Sequence, residues 1–108
     1  MNNTNTDIDI AFRFLRLDKM QAYTLKHEVM GASFLETDDP KSFIGVVELS
    51  QHAIHDINDF FVRQQVSVAH CDILVSAATP AATIKVPRVV NEMLKYIDCQ
   101  LTYSIKIV

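Results

Sequence analysis

A period-two pattern of apolar residues near both ends of the chain constrains its fold most. Within residues 7–16, and again within residues 100–107, every second side chain is apolar. The two apolar sets are Ile8, Ile10, Phe12 and Phe14, and Leu101, Tyr103, Ile105 and Ile107. A period of two predicts strands with one buried face. The chain is therefore expected to build a sheet that is covered on one side.

Two helices are predicted between these strands. The first is expected over residues 41–64, because Asp39 suits an N-cap and Pro40 suits the first helical position. One face at helical spacing comprises Phe43, Val47, Ser50, Ile54, Ile57 and Phe61, flanked by Val46, Ala53 and Phe60. A second helix is expected to open at Val86-Pro87. Its stripe comprises Val90, Met93, Leu94 and Ile97.

Two further segments complete the sequence of elements. Residues 66–77 are apolar and rich in β-branched side chains, which predicts a strand. Residues 17–36 fit two interpretations. The spacing of Leu17, Met20, Thr24 and His27 suits a short helix, whereas alternation over residues 23–29 suits a strand. We predict a strand over about 22–30 that continues through Gly31 as a bulge to Leu35.

The order β, β, long α, β, α, β predicts a single α+β domain over residues 1–108, with residues 1–6 disordered. Helices with one apolar stripe pack well on strands with one apolar face. We therefore expect a two-layer sandwich of about four mainly antiparallel strands with two helices on one face. The ferredoxin-like fold is one form of this arrangement.

Composition disfavours several classes of partner. The net charge is −3 and no block of Lys and Arg is present, whereas nucleic-acid binding draws most of its affinity from phosphate neutralisation. No apolar run approaches the roughly 20 residues that a membrane span needs. The N-terminal residues lack a signal-peptide pattern, so a cytoplasmic location is expected. Cys71 and Cys99 are then expected to be reduced, structural thiols without metal-ligand spacing.

Two groups of residues that contain histidine have spacings compatible with a functional site. His52, His55 and Asp59 have the i, i+3, i+7 spacing that could hold a divalent metal on a helix, but they oppose the apolar stripe, so a solvated face is preferred. His70 and Asp72 could act as an acid–base pair on one strand, but no nucleophile accompanies them. The sequence therefore predicts no catalytic residue, no cofactor-binding residue and no metal ligand.

A small-residue loop, residues 78–83, precedes the second helix. Its small side chains would let backbone amides approach a ligand, although a plain strand-to-helix connection is the simpler prediction. No glycine-rich phosphate-binding motif is present.

The C-terminal part of the chain carries a resemblance to a known family. The residues concerned are Ile84-Lys85-Val86-Pro87, Val90, Met93-Leu94, and the stretch from Ile97 to Ile105. This stretch resembles the closing strand–helix–strand of an uncharacterised family of small bacterial proteins. Members occur in mobile gene cassettes and as presumed immunity proteins beside toxin genes. The resemblance implies a protein-binding role and carries over no catalytic residue.

These observations predict a non-enzymatic interaction protein, such as an immunity or accessory protein of a mobile element. One alternative is a small-ligand-binding or oligomeric accessory domain with a pocket between sheet and helices. Another is an enzyme that uses His70 or the face from His52 to Asp59. A homodimer is also expected, through a sheet edge or the uncovered sheet face, because Lys106 is the one charge of the last strand.

Overall fold

The computed structural model describes residues 7–80 and 84–108, which form an α+β fold. Their elements are β1 (Asp7–Leu17), α1 (Lys19–Glu28), β2 (Ala32–Glu36), β3 (Phe43–Glu48), α2 (Ile54–Arg63), β4 (Cys71–Thr79), α3 (Arg88–Tyr96) and β5 (Gln100–Ile107). The strands form one sheet in the order β2-β3-β1-β4-β5. Neighbouring strands are antiparallel except β4 and β5, which are parallel.

The expected α+β class is confirmed, but the expected count of elements is not. The described residues contain five strands and three helices, and the sheet is mixed. None of these helices is long and apolar enough to cross a membrane. The predicted disorder of residues 1–6 lies outside the described residues. So does the end of the small-residue loop at 81–83, whereas Ala78 and Thr79 belong to β4.

Helix α1 replaces the strand that was predicted over residues 22–30. Asp18 caps it, because its carboxylate accepts a hydrogen bond from the Gln21 N–H at 2.8 Å. The Gln21 side chain accepts one from the Asp18 N–H at 3.0 Å, which completes a capping box. Ala22, Leu25 and Val29 are buried at three- and four-residue spacing. The cap and this spacing favour the helix over the competing alternation.

A hairpin replaces the first half of the helix that was predicted over residues 41–64. The Asp39 carboxylate accepts a hydrogen bond from the Lys41 N–H at 2.9 Å, and the Thr37 hydroxyl donates to the Ser42 carbonyl at 2.9 Å. Asp39 therefore stabilises the turn between β2 and β3 and caps no helix. Asx and Ser/Thr side chains favour turns for the same reason that they favour helix caps, since both supply local acceptors.

Burial along β3 shows why its pattern was misleading. Phe43, Gly45 and Val47 are buried, so alternate residues face the core. Phe43 and Val47 are four positions apart, a spacing that places residues on one face of a strand and of a helix alike. A Cβ at Gly45 would overlap the side chains of Leu25 and Leu17, so the absence of a side chain lets α1 pack against the β3 backbone.

Helix α2 keeps the second half of the predicted helix. Ile54 and Ile57 are buried as expected, but the third buried residue is Phe60 instead of Phe61. The Phe60 ring lies edge-on to the ring of Phe14 in β1, with 5.0 Å between centroids. This contact fixes α2 over the centre of the sheet.

The last three elements lie close to where the sequence placed them. β4 begins at Cys71 instead of Val66, because residues Val68–His70 form a 3-10 turn. Helix α3 buries Val90 and Met93, as its stripe predicted. β5 confirms the strand predicted for residues 100–107.

The core lies between the helices and one face of the sheet. Its fully buried members include Phe12, Phe14, Val47, Ile73 and Val75 from the strands and Leu25, Ile57, Phe60, Val90 and Met93 from the helices. The alternate strand residues form the opposite face, which we call the open face. They are half-buried or exposed, with the exception of Asp72.

Candidate functional site

The β5 edge, residues Gln100–Ile107 with Val108, exposes more apolar surface than its sequence pattern predicted. Tyr103 and Ile105 are each 47% exposed, Ile107 is 68% exposed and Val108 is 71% exposed. Their register places Tyr103 beside Val75 and Ile105 beside Ala77, on the helix-covered side of the sheet. The helices do not shield this outer strand, so its apolar row remains open to solvent.

Alternate backbone groups of β5 point away from the sheet. The Val108 N–H donates to the Thr79 carbonyl at 3.1 Å, so Val108 faces β4. Because successive residues of a strand direct their N–H and C=O groups to opposite sides, the even-numbered residues face β4 and the odd-numbered residues face outward. The residues whose backbone N–H and C=O groups face outward are Leu101, Tyr103, Ile105 and Ile107. In the described sheet, no strand lies beyond them.

The opposite edge of the sheet, at β2, is better protected. This strand has five residues. The Phe34 ring is covered by Tyr23, at 5.2 Å between centroids, and by the Lys26 ammonium, 5.7 Å from its centroid. Short edge strands with nearby charges resist pairing with other chains. β5 has eight residues and a single charge, Lys106, so it is the edge more open to pairing.

A polar network on the open face holds β5 in place. The Arg13 guanidinium donates to both carboxylate oxygens of Asp72, at 2.7 and 2.5 Å. The Thr102 hydroxyl donates to the same carboxylate at 2.7 Å. These three residues come from β1, β4 and β5, so one buried carboxylate links the outer strand to the centre of the sheet. Asp72 itself is only 3% exposed.

The electrostatics of this network keep it charged. Burial by itself would raise the pKa of Asp72, but the hydrogen bonds from Arg13 and Thr102 outweigh it and lower that pKa. The same hydrogen bond raises the pKa of Arg13. Arg13 and Asp72 therefore remain an ion pair at neutral pH, and the pair can anchor β5 without titrating.

His70 and Asp72 do not form the acid–base pair that the sequence suggested. His70 lies in the 3-10 turn before β4 and is half-buried. The Asp72 carboxylate is engaged by Arg13 and Thr102 instead. Sequence reasoning missed both partners. A usable signal was present, because Asp72 is the one charge of β4 and Arg13, of opposite sign, stands between Phe12 and Phe14 in β1.

The residues His52, His55 and Asp59 are not brought together as metal ligands. His52 precedes α2, so the helical spacing fails at its first member. The His55 ring packs edge-on against Tyr96, and Asp59 accepts a hydrogen bond from Arg63 at 2.8 Å. Among the described residues, no cluster of His, Cys, Asp and Glu could hold a metal ion.

The two cysteines are free thiols with little nucleophilic character. Burial raises the pKa of Cys71 to about 12 and that of Cys99 to about 11. Because the thiolate is the reactive form, both groups are largely unreactive at neutral pH.

A surface groove with a volume of about 570 Å³ lies partly on the open face. Ala11, Val46 and Leu74 contribute apolar surface, and Asp9 and Glu48 contribute carboxylates. Pro87, the N-cap residue of α3, and Val89, in its first turn, also line it. The groove is therefore lined by residues of the sheet and by residues at the start of α3.

Comparison with known proteins adds no further guide to the site. No family model, curated protein or solved structure matches this chain.

Proposed function

We propose that this chain is a non-enzymatic interaction domain that binds another polypeptide strand along the β5 edge. The observation that carries the proposal is that one eight-residue strand combines four residues whose backbone groups face outward with exposed apolar side chains at three of them, Tyr103, Ile105 and Ile107. In strand addition, backbone hydrogen bonds supply affinity and alternate side chains supply specificity. Tyr103, Ile105 and Ile107 would provide that specificity.

The anchoring of β5 supports the proposal. Thr102 is bonded to Asp72, and Asp72 to Arg13, so the edge is held in an extended conformation before any partner arrives. A preorganised strand loses less conformational entropy on binding than a flexible one. The network therefore favours association without taking part in chemistry.

Several observations support a non-enzymatic role. Asp72 is already engaged by two donors, and the raised pKa values of Cys71 and Cys99 disfavour thiol catalysis. The resemblance of residues 84–105 to presumed immunity proteins is consistent with protein binding. We extend the proposal accordingly to a cytoplasmic immunity or accessory protein of a mobile element.

The order of elements suggests how such a domain is organised. The first six elements follow the order β–α–β–β–α–β, with strands arranged β2-β3-β1-β4. We propose that they form a ferredoxin-like unit and that α3 and β5 extend it by one edge strand. The interaction surface would then lie entirely on the added strand.

Ligand binding is a second candidate function, favoured by the groove of about 570 Å³. Its apolar residues and its two carboxylates, Asp9 and Glu48, suit a small cationic organic molecule. Titration calorimetry with organic amines tests this candidate. Saturable binding that is lost in Asp9→Asn/Glu48→Gln would support it, and the absence of binding to any amine would count against it.

Photo-crosslinking in cells that naturally produce this protein tests the proposed binding of a polypeptide strand at the β5 edge. A benzophenone amino acid replaces Tyr103, and a matched variant carries it at Tyr23, which is 52% exposed against 47% for Tyr103. We expect a protein adduct from position 103 and none from position 23. An absent adduct at position 103, or equal adducts at both positions, would contradict an interaction surface at β5.

A proline substitution tests whether formation of the crosslinked adduct depends on backbone hydrogen bonds at the β5 edge. The Ile105 N–H points outward, so Ile105→Pro removes a donor to a partner strand while it retains the bonds to β4. We expect this variant to keep its melting temperature within a few degrees and to lose the adduct. Lys106→Pro is the control for damage to the sheet, since the Lys106 N–H faces β4 and its loss destabilises the fold.

A further inference from the structure

We infer that the partner at the β5 edge is a second copy of this chain, paired antiparallel about a two-fold axis at Ser104. The inference rests on the proposed function, the binding of a further strand at the β5 edge, and identifies the chain that supplies this strand. It follows from the register of the outward backbone groups and from the placement of side chains along the strand.

The backbone of the β5 edge is complementary to itself in this register. With Ser104 opposite the partner's Ser104, Tyr103 faces the partner's Ile105 and Leu101 faces the partner's Ile107. All four of these residues direct their N–H and C=O groups outward, so each facing pair can exchange two hydrogen bonds. Four such pairs give about eight hydrogen bonds across the axis.

Neighbouring registers are poorer. A shift by two residues in either direction leaves three facing pairs and about six hydrogen bonds. A shift by one residue would set the apolar side of one strand against the polar side of the other, because side chains alternate faces with a period of two. The axis at Ser104 thus gives the largest overlap of strand Gln100–Ile107 with itself.

The side chains favour the same register. Tyr103, Ile105 and Ile107 of each copy lie on the helix-covered side, where they would cover one another across the axis. On the open face, Lys106 lies opposite the partner's Thr102 and away from the partner's Lys106. Like charges directly opposite each other are destabilising, so the one charge of the strand is placed without repulsion.

Symmetry also explains why assembly would stop at two chains. A two-fold pairing uses the β5 edge of both copies, so each further contact would have to form at β2. That edge is short, and Phe34 is covered by Tyr23 and Lys26. The assembly would be a closed dimer with one continuous sheet of ten strands in its described parts, twice the five of each chain.

Disulfide trapping tests the register. Ser104→Cys would place two thiols at a non-hydrogen-bonded pair with Cα atoms about 4.5 Å apart, which a disulfide can bridge. Lys106→Cys is the matched control, since residue 106 is also exposed on the open face. The two copies of residue 106 would be separated by four residues, or about 13 Å, which is too far to bridge. Both variants carry Cys99→Ser, so that the engineered thiol is the more accessible one.

The expected result is a mass of about 24 kDa by light scattering, twice the 12.2 kDa of one chain, with rapid oxidation of Ser104→Cys to a covalent dimer. Lys106→Cys should cross-link at least tenfold more slowly. Faster cross-linking of Lys106→Cys, or equal rates, would overturn the register.

Two outcomes separate this inference from the proposed function. A mass of 12.2 kDa across a hundredfold dilution series, together with a cellular adduct from position 103 to a different protein, would overturn the second copy as partner and retain the interaction edge. The same monomer mass without any adduct would overturn both.

Discussion

Arg13 and Asp72 lie directly opposite each other on β1 and β4, and two guanidinium nitrogens of Arg13 bond both carboxylate oxygens of Asp72. The ion pair occupies the open face, where Asp72 is nevertheless only 3% exposed. Because Thr102 shares the same carboxylate, the pair connects the centre of the sheet to the strand proposed to bind a partner.

Removal of Arg13 should destabilise the fold more than removal of Asp72. Arg13→Leu leaves a buried carboxylate without its counter-charge, which we expect to cost about 3 kcal/mol of unfolding free energy. Asp72→Leu should cost less, because the Arg13 side chain is 24% exposed and can be solvated. Urea denaturation of both variants and of the double variant measures this. The double variant should be more stable than Arg13→Leu alone, and a strictly additive loss would contradict the ion pair.

The lowered pKa of Asp72 predicts a specific dependence of stability on pH. A carboxylate with a lower pKa in the folded state stabilises the fold above its ordinary pKa, 3.8, and loses that contribution as the pH falls through the folded value. The stability difference between the parent and Asp72→Asn should therefore be constant from about pH 7 to pH 5 and shrink below about pH 4. Urea midpoints across this range supply the test, and a difference that grows on acidification would show the opposite shift.

The fold was predictable where one periodicity had no competitor. The alternation of residues 7–16 and 100–107 and the stripe from Val90 to Ile97 correctly indicated β1, β5 and α3. Residues 22–30 carried two patterns, and the decisive cap at Asp18 lay outside the alternating stretch. Phe43 and Val47 fit strand and helix equally, so the hairpin could not be separated from α2 by spacing alone.

The candidate site could be predicted only in part from the sequence. The low charge of residues 100–107 indicated an edge suited to pairing, but its actual edge position depends on strand order, which periodicity does not report. The sequence pattern pairs Asp72 with His70, yet its actual partners, Arg13 and Thr102, lie 59 and 30 positions away in sequence. Contacts of that range depend on register, and register depends on the whole sheet.

Close packing at Gly45 predicts a steric penalty. Gly45→Ala would place a methyl group against Leu25 and Leu17, so we expect a loss of about 1–3 kcal/mol in unfolding free energy. Combination with Leu25→Ala should cost less than the sum of the two single changes, because the shorter side chain makes room. Thermal and urea denaturation of the three variants measure the coupling. Additivity would show that α1 does not rest on the β3 backbone.

The thiols should be protected from alkylation by the fold. With pKa values raised by burial to about 12 for Cys71 and about 11 for Cys99, few thiolates exist at pH 8. We expect iodoacetamide to modify the folded protein at least about a hundredfold more slowly than the same protein in guanidinium chloride. Rapid modification of either cysteine in the folded protein would contradict its raised pKa.

Residue-resolved amide hydrogen exchange along β5 tests the central claim most directly. In an unpaired edge strand, the even-numbered amides that face β4 exchange slowly and the odd-numbered amides exchange fast. If the β5 edge binds a second strand, the amides of Tyr103 and Ile105 should be protected as strongly as that of Ser104 at high protein concentration. Dilution or the Ile105→Pro change should restore fast exchange at Tyr103. Fast exchange at Tyr103 and Ile105 at every concentration, beside a protected Ser104, would contradict self-association through this edge.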